Sequence, residues 1–460
     1  MKKTPDFKKE SKLVKDRALK SLEEFIKIDT VFDEKTVSKD HPFGIGVQKG
    51  LDYVAELGKK LGFDVDRCDN YCTELSYGEG DKLIDIYAHA DVVPVSKTWK
   101  TDPFFPTIKN GTMYARGCAD DKGPGISALY GAEIVKDHGG IDGYRLRIIF
   151  GGNEERGSAC LHHYFHEMKK GYPDFGFSPD ADYPLIYAEK GIYTYKATYH
   201  LDSDKLPKFK YGDATNIVLG ETFLTMEDDV GGQLKSYLAK NPEIKATFNT
   251  KSILHFIGKA CHGSMPWNGI NAGLYMLDFL GGVYDLPILH QIFTDYATGD
   301  GKAFGGDYKS ETFDSSSYCI GVMEYDGKDL TVLVNMRLPE NVTAEAAIKN
   351  AEAKTKADSV ELLGGSEGLM FPLDSDLVRI LLKSYQDQSG DLVSKPLAIG
   401  GGTYARDSKN SVAFGMQFPN VDSKMHEDGE FMRIDDFNRS IAIYADAIWH
   451  LGSALNGNKE

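Results

Sequence analysis

Apolar residues return at helical spacing near the start of the chain. Between residues 13 and 28, Leu19, Leu22, Phe25 and Ile26 fall on one side, which predicts an amphipathic helix there. The same type of pattern predicts helices over residues 46–61, 125–135, 271–280, 344–356 and 435–451. The chain therefore carries predicted helices at both ends and in its middle.

Apolar runs between these helices predict buried strands. Leu83–Ala88 is one such run and ends directly before His89, while Arg145–Phe150 is a second and ends before two glycines. Strands that alternate with helices are typical of an α/β fold with a mostly parallel sheet and helices on both faces. Ligands in such folds gather at the carboxyl ends of the strands, which is where His89 falls.

The pattern of predicted elements changes after Glu189-Lys190-Gly191, which marks a candidate domain boundary. Short strands, Asp/Gly loops and scattered helices follow, and the glycine-rich and charged motifs return from Pro396. We therefore predict one domain made of residues 1–187 and 388–460. It is interrupted by a large inserted α+β domain over residues 188–387, which forms one or two subdomains.

The composition narrows the class of protein. With 41% apolar and 27% charged residues, the chain of 460 residues is typical of soluble globular proteins. A net charge of −16 makes nucleic acid an unsuitable partner. No apolar stretch long enough to span a membrane occurs, and no secretory signal is visible, so a cytoplasmic protein is expected. Its six cysteines are accordingly expected to be reduced.

Five short motifs contain the residue types that bind metals. They are His89-Ala90-Asp91, Asp120-Asp121, Glu154-Glu155, Ser178-Pro179-Asp180 and the single His426. Each motif alone has an ordinary structural explanation, such as a solvated acidic turn or a charged helix start. Together they supply two histidines and a surplus of carboxylates, which is the set that a pair of zinc-like ions needs.

The spacing within these motifs suggests separate tasks for neighbouring residues. His89 and Asp91 are two apart in extended chain, so the carboxylate is expected to support the imidazole while His89 binds metal. Adjacent Glu154 and Glu155 point in different directions, so one can bind metal while the other acts as a general base. Asp182 is a rival to Asp180 on composition alone.

In this order and spacing, the motifs resemble the M20 family of metallopeptidases, and within it the bacterial PepV-like and Sapep-like dipeptidases. The resemblance rests on H-A-D-V-V-P, R-G-C-A-D-D-K-G-P, G-G-N-E-E-R-G-S, S-P-D-A-D-Y-P, E-K-G and C-H-G-S-M-P-W-N-G-I-N-A. These motifs run from His89 to Ala272, and the resemblance covers nearly the whole chain. It implies that the divided domain holds a catalytic metal pair and that the inserted domain is a lid.

The resemblance also implies a role for each residue of the site. Asp120 would bridge two divalent ions, with zinc expected and manganese or cobalt as alternatives, across a cis peptide bond to Asp121. The remaining ligands would be Glu155 and His426 for one ion and His89 and Asp180 for the other. Asp91 would support His89, and Glu154 would be the general base. In the lid, His262 would reach the scissile carbonyl oxygen, while Asn216, Arg337 and Arg406 would hold the substrate.

The implied function is that of a two-metal aminodipeptidase acting on dipeptides with a free C-terminal carboxylate. Another M20-type amidohydrolase, such as an N-acyl-amino-acid deacylase or a carboxypeptidase, is an alternative because the same metal core serves all of them. A more distant alternative is a metal-binding protein without activity. A monomer is expected, because the inserted domain is nearly twice as long as the roughly 100 residues of one small lid domain.

Overall fold

The computed structural model describes residues 3–201, 203 and 205–457, which divide into two units. Unit 1 consists of Met1–Ala188, Met370–Leu397 and Thr403–Glu460. Unit 2 consists of Glu189–Leu369 and Ala398–Gly402. One unit is thus built from both ends of the chain, and the other is inserted into it.

Helices and strands alternate along unit 1, whereas strands dominate unit 2. The α-helices of the described chain are α1 (Phe7–Ile26), α2 (Ile45–Lys60), α3 (Lys122–Asp137), α4 (Ala159–His162), α5 (Gly231–Leu238), α6 (Ala272–Tyr284), α7 (Pro287–Tyr296), α8 (Ala344–Lys354), α9 (Asp376–Ser389) and α10 (Ile434–Leu455). The strands are β1 (Asp64–Asp66), β2 (Cys72–Tyr77), β3 (Leu83–His89), β4 (Thr107–Lys109), β5 (Thr112–Tyr114), β6 (Arg145–Gly151), β7 (Phe175–Ser178), β8 (Ala181–Asp182), β9 (Ile186–Glu189), β10 (Gly191–His200), β11 (Phe209–Tyr211), β12 (Glu221–Thr225), β13 (Lys245–Phe248), β14 (Ile253–Ile257), β15 (Ser317–Tyr325), β16 (Asp329–Leu338), β17 (Ser359–Ser366), β18 (Leu369–Met370), β19 (Leu397–Ile399), β20 (Ser411–Ala413), β21 (Met416–Gln417) and β22 (Phe431–Arg433).

The main sheet of unit 1 has the order β1-β2-β6-β3-β7-β20-β9-β18, with β19 beside β9. Its centre, β6-β3-β7-β20, is parallel, and antiparallel strands flank it on both sides. Nearly every residue of β3 is buried, which explains its continuous apolar run. The predicted α/β class with a mostly parallel sheet is confirmed.

The parallel centre gathers the candidate motifs at one edge of the sheet. β3 ends at His89, β6 ends at Gly151 just before Glu154, and β7 ends at Ser178 just before Asp180. Because parallel strands have their carboxyl ends at the same edge, residues far apart in sequence come together there. Helices α1, α3, α9 and α10 pack on one another, and α2 packs on β2 and β6.

Unit 2 is built from antiparallel sheets. One has the order β11-β15-β16-β10-β17, and the other is the three-stranded sheet β12-β14-β13. Helix α6 packs on β12 and β14, and α8 packs on β17. Unit 2 has its own hydrophobic core, separate from that of unit 1.

The end of the inserted region differs from the expected residue 387. The chain rejoins unit 1 at Met370, because the apolar side of α9, which includes Leu377, Val378 and Leu381, packs into the core of unit 1. A second difference is that Ala398–Gly402 belongs to unit 2, although we expected it in the divided domain.

Two further expectations concern membranes and cysteines. Among the described residues, no helix combines the length and apolar character needed to cross a bilayer. The six cysteines are free thiols, and five of them are buried.

Candidate metal centre

His89 lies at the end of β3 and is fully buried. Its Nδ1 is 2.9 Å from the backbone carbonyl oxygen of Asp91 and must donate to it, because a carbonyl only accepts. This leaves Nε2 facing two carboxylates, at 3.0 Å from Asp120 Oδ1 and 3.6 Å from Asp180 Oδ2. The imidazole is therefore oriented so that one nitrogen is available for a cation.

Asp120 lies between two histidines. While its Oδ1 faces His89, its Oδ2 is 2.8 Å from Nε2 of His426, which is also 3.2 Å from Glu155 Oε1. His426 comes from the far end of the chain and has a positive φ of 64°. The peptide bond from Asp120 to Asp121 is cis, as the resemblance predicted.

Six side chains thus form a donor cluster: His89, Asp120, Glu154, Glu155, Asp180 and His426. Candidate ligand atoms of His89, Glu154 and Asp180 all lie within 4.8 Å of one another. The same is true of His89, Asp120 and Glu155. Imidazole nitrogens and carboxylate oxygens at these separations are the donors of zinc and similar ions, so the residues fit a divalent metal.

Asp91 is connected differently from what its spacing predicted. We expected its carboxylate to support the imidazole of His89, but the carboxylate oxygen is 3.6 Å from Nδ1 and the shorter contact is through the backbone. The carboxylate instead accepts the backbone N–H groups of Glu154 at 3.1 Å and Glu155 at 3.2 Å. Asp91 therefore ties the end of β3 to the loop that carries the two glutamates.

Asp180 and Asp182 point to different partners. Asp180 faces His89, whereas Oδ1 of Asp182 accepts a hydrogen bond of 2.8 Å from Nε2 of Gln417. They are two residues apart, but β8 begins between them and contains Asp182, which pairs with Gln417 of β21. Of the two rivals, only Asp180 belongs to the donor cluster.

Burial and mutual repulsion dominate the electrostatics of the donor cluster. Burial, followed by repulsion from Asp180, raises the pKa of Glu154 well above its usual range, and burial also raises the pKa of Asp180. Burial alone lowers the pKa of His426, but hydrogen bonds to Asp120 and Glu155 outweigh it and raise that pKa to about 11. The concentrated negative charge of the carboxylates therefore favours the binding of cations by the donor cluster.

Two carboxylates outside the predicted set of ligands and catalytic residues hold the backbone of the ligand segments. Asp121 Oδ2 accepts the backbone N–H of His89 at 2.9 Å. Glu430 Oε1 accepts the N–H groups of Ala119 at 2.9 Å and Asp120 at 3.2 Å. Asp121 had a signal, since it is the second residue of the Asp-Asp pair. Glu430 had none in its local sequence, because its partners are more than 300 residues away.

The predicted catalytic residue His262 and two of the predicted substrate-binding residues, Asn216 and Arg337, come together within unit 2 and form the Arg337 group. Arg337 is buried on β16, and its Nη2 is 3.4 Å from His262 Nε2. The backbone carbonyl of Asn216 accepts the N–H of Gly263 at 2.7 Å. His262 Nδ1 is 2.8 Å from the hydroxyl of Ser264. Arg406 belongs to unit 1, where it is in a 3-10 turn (Tyr404–Asp407).

Known proteins resemble this chain over nearly its whole length. The family model described as "Peptidase family M20/M25/M40" matches residues 86–450. The chain is 36% identical to the Bacillus subtilis protein named "Putative dipeptidase YtjP", over 95% of this chain and 97% of that protein. It is 34% identical to the "Beta-Ala-Xaa dipeptidase" of Lactobacillus delbrueckii subsp. lactis, over 97% of this chain and 98% of that protein.

Solved structures support the same fold. The dipeptidase Dug1p of Saccharomyces cerevisiae superposes with a TM-score of 0.60 at 15% identity, covering 97% of this chain and 98% of that one. At that identity the likeness concerns the fold alone, whereas the family match extends over most of the chain and includes all six residues of the donor cluster. The chain therefore belongs to peptidase family M20/M25/M40 and is a metallopeptidase.

Proposed function

We propose that this protein is a dipeptidase that uses two divalent metal ions in the donor cluster to hydrolyse dipeptides with a free C-terminal carboxylate. One observation carries the proposal: the two oxygens of Asp120 each approach a different imidazole, His89 at 3.0 Å and His426 at 2.8 Å. A carboxylate turned to both sides is suited to bridge two cations. The names of the two relatives support a dipeptide as the substrate class.

The ligands follow from the same distances. We assign Asp120 as the bridge, His89 and Asp180 to one ion, and Glu155 and His426 to the other. With Glu154 included, the donor cluster holds four carboxylates and two imidazoles, so two divalent ions would balance its negative charge. Zinc suits this mixture of nitrogen and oxygen donors, and manganese or cobalt are alternatives.

Glu154 is the proposed general base. Bound divalent ions would lower the pKa of a water molecule and polarise the scissile carbonyl group. Burial raises the pKa of Glu154, which suits a carboxylate that accepts a proton and passes it to the leaving amine. Asp91 orients this base, because its carboxylate holds the backbone N–H of Glu154.

The Arg337 group and Arg406 are the proposed substrate residues. A guanidinium offers a planar pair of N–H donors that matches a carboxylate, which suits Arg337 to the C-terminus of a dipeptide. We propose that His262 donates a hydrogen bond to the carbonyl oxygen as negative charge develops on it. The 3.4 Å between Arg337 Nη2 and His262 Nε2 would let both groups act on one small substrate.

A substrate panel tests the proposal directly. Metal-free protein is supplied with zinc, manganese or cobalt and offered dipeptides, tripeptides and N-acyl amino acids. We expect metal-dependent cleavage of dipeptides, with little cleavage of the other two classes. Preferred cleavage of N-acyl amino acids would favour a deacylase instead, and preferred cleavage of longer peptides would favour a carboxypeptidase.

We further propose that the protein works as a monomer. Unit 2 runs from Glu189 to Leu369 with a short return segment, which is well beyond the roughly 100 residues of a single small domain. It also contains two separate sheets. Light scattering should give the mass of one chain. A dimer mass, with activity restored by mixing His262→Ala and Glu154→Ala chains, would contradict this.

A further inference from the structure

A buried ion pair in unit 1 lies directly against the proposed bridging ligand. Arg116 and Glu430 are 2% and 0% exposed, and Arg116 Nη1 donates to Glu430 Oε2 at 2.6 Å. The ring of Trp99 covers the guanidinium at 5.4 Å. Water is therefore excluded from the pair, and its two charges depend on each other.

The second oxygen of Glu430 has a different task. Oε1 accepts the backbone N–H groups of Ala119 at 2.9 Å and Asp120 at 3.2 Å. Hydrogen bonds from backbone amides to a carboxylate are charge-assisted and strongly directional. Glu430 therefore fixes the main chain at the residue whose side chain faces both His89 and His426.

Glu430 also holds the segment that carries the other ligand. It follows His426 by four residues, and its own backbone carbonyl accepts the N–H of Ala115 at 3.2 Å. Directly after it, β22 pairs with β5. One side chain thus joins the two segments that supply Asp120 and His426, although they are about 300 residues apart in sequence.

A second buried pair in the same unit provides a matched comparison. Arg147 and Asp85 lie opposite each other on β6 and β3 and are joined by two hydrogen bonds of 2.7 and 2.6 Å. Asp85 is also four residues from a proposed ligand, His89. The carboxylate of Asp85 also accepts a hydrogen bond of 2.6 Å from the hydroxyl of Tyr87. Among the described residues, it accepts none from the backbone of a proposed ligand.

We propose that Glu430, held in place by Arg116, is a positioning residue that sets the distance between Asp120 and His426 and thereby the affinity and geometry of the metal centre. The inference rests on the proposed metal centre. A merely structural ion pair would affect folding alone, which is what we expect of Arg147–Asp85. A positioning residue must in addition change how a metal is bound when its charge is removed.

The test titrates metal-free protein with Co²⁺ and follows its visible absorption, with thermal unfolding of the metal-free protein measured in parallel. Glu430→Gln keeps the shape and one oxygen acceptor but leaves Arg116 without its counter-charge. We expect Co²⁺ affinity to fall about 10- to 100-fold, as is typical when a residue that orients a ligand is lost, with a changed absorption band. Asp85→Asn should lower the unfolding temperature but leave the Co²⁺ affinity and band unchanged.

Arg116→Lys provides a second route if Glu430→Gln does not fold. This variant keeps a positive charge beside Glu430 but loses the planar pair of N–H donors of the guanidinium. We therefore expect a smaller loss of Co²⁺ affinity than in Glu430→Gln. Wild-type affinity and band in a folded Glu430→Gln or Arg116→Lys protein would overturn the positioning role. Equal loss in Asp85→Asn would overturn it as well. Failure of the unmodified protein to bind Co²⁺ would instead contradict the metal centre itself.

Discussion

The donor cluster of unit 1 and the Arg337 group of unit 2 are opposite in charge and belong to different types of sheet. The donor cluster of unit 1 concentrates four carboxylates and two imidazoles after the ends of parallel strands and in loops. The Arg337 group of unit 2 brings together a guanidinium and an imidazole, and the backbone of Asn216 is bonded to the residue after His262 in an antiparallel bridge. The first attracts cations, and the second offers N–H donors to oxygen atoms.

This difference divides the expected effects of mutations into two kinds. Changes to the five proposed ligands of the donor cluster should alter metal binding and turnover together, whereas a change to Glu154, the proposed base, should alter turnover alone. Changes in the Arg337 group should alter the recognition of substrate while metal content stays the same. Mutations in each group test this division.

Asp120→Ala should remove nearly all activity. Both proposed ions would lose their shared ligand, and with it the polarised carbonyl and the activated water. Each of these is worth several kcal/mol, so hydrolysis of a dipeptide should fall by at least about 10⁴-fold. Metal content by elemental analysis should fall with it, and chelation of the unmodified protein should give the same loss, reversible on adding metal.

Asp180→Ala and Asp182→Ala form the matched control for this prediction. Asp180 faces His89, whereas Asp182 is bonded to Gln417. Only the first should lose metal and activity. The ligand assignment would be contradicted if Asp182→Ala lost metal while Asp180→Ala kept it.

Glu154→Gln and Glu155→Gln should separate the general base from the ligand. Loss of a general base typically lowers kcat by about 10²- to 10⁴-fold. Glu154→Gln should show this loss with its metal content retained, whereas Glu155→Gln should lose metal as well. Isothermal titration with Zn²⁺ beside steady-state kinetics distinguishes the two. Equal metal loss in both variants would show that Glu154 is also a ligand.

Arg337→Lys should affect substrate recognition and leave the metal unchanged. Hydrogen bonds to a charged group contribute about 1.5–3 kcal/mol, so kcat/KM for dipeptides should fall roughly 10- to 150-fold. A dipeptide amide, which lacks the C-terminal charge, is the control substrate and should be cleaved about equally by both proteins. If both substrates lost activity to the same extent, Arg337 would have a structural role rather than a role in recognising the carboxylate.

The smallest effect concerns a buried carboxylate in unit 2 that has no proposed part in catalysis. Asp295 is 1% exposed, its Oδ1 accepts from Gln291, and its Oδ2 has no hydrogen-bond partner within the described chain. Burial raises its pKa to about 6. Because its pKa is raised on folding, its charged form opposes folding, and the cost appears as pH rises from about 4 through 6.

Asp295→Asn should therefore stabilise the protein above pH 6. We expect a gain in the free energy of unfolding of about 1–2 kcal/mol at pH 7.5, shrinking as the pH falls toward 4. Thermal unfolding at several pH values measures it, with dipeptide hydrolysis followed in parallel. A pH-independent difference would mean that the carboxylate does not titrate in this range. A loss of activity would mean that Asp295 serves more than the fold.

Much of the fold was predictable because it depends on local patterns. The continuous apolar run of β3 matches a strand buried along almost its whole length, and the apolar stretch of α10 has the length of a helix, so the existence of both follows from the order of apolar and polar residues. The return of the chain at Met370 was not predictable in this way. Whether α9 covers the core of one unit or the other depends on which surface accepts its apolar side, and its own sequence does not specify that surface.

The donor cluster, like the fold, was only partly predictable from the sequence. The kinds of residue that bind metals and their order along the chain can be read from the sequence, and the meeting of His89 and Asp180 follows from a parallel sheet. The hydrogen bonds that hold these residues in place could not be predicted from the sequence. The carboxylate of Asp91 bonds to the backbone of the two glutamates, and Glu430 bonds to the backbone beside Asp120. Sequence determines which side chains can accept a hydrogen bond, but only the tertiary structure decides which donors come within reach, because those donors are backbone groups that every residue carries.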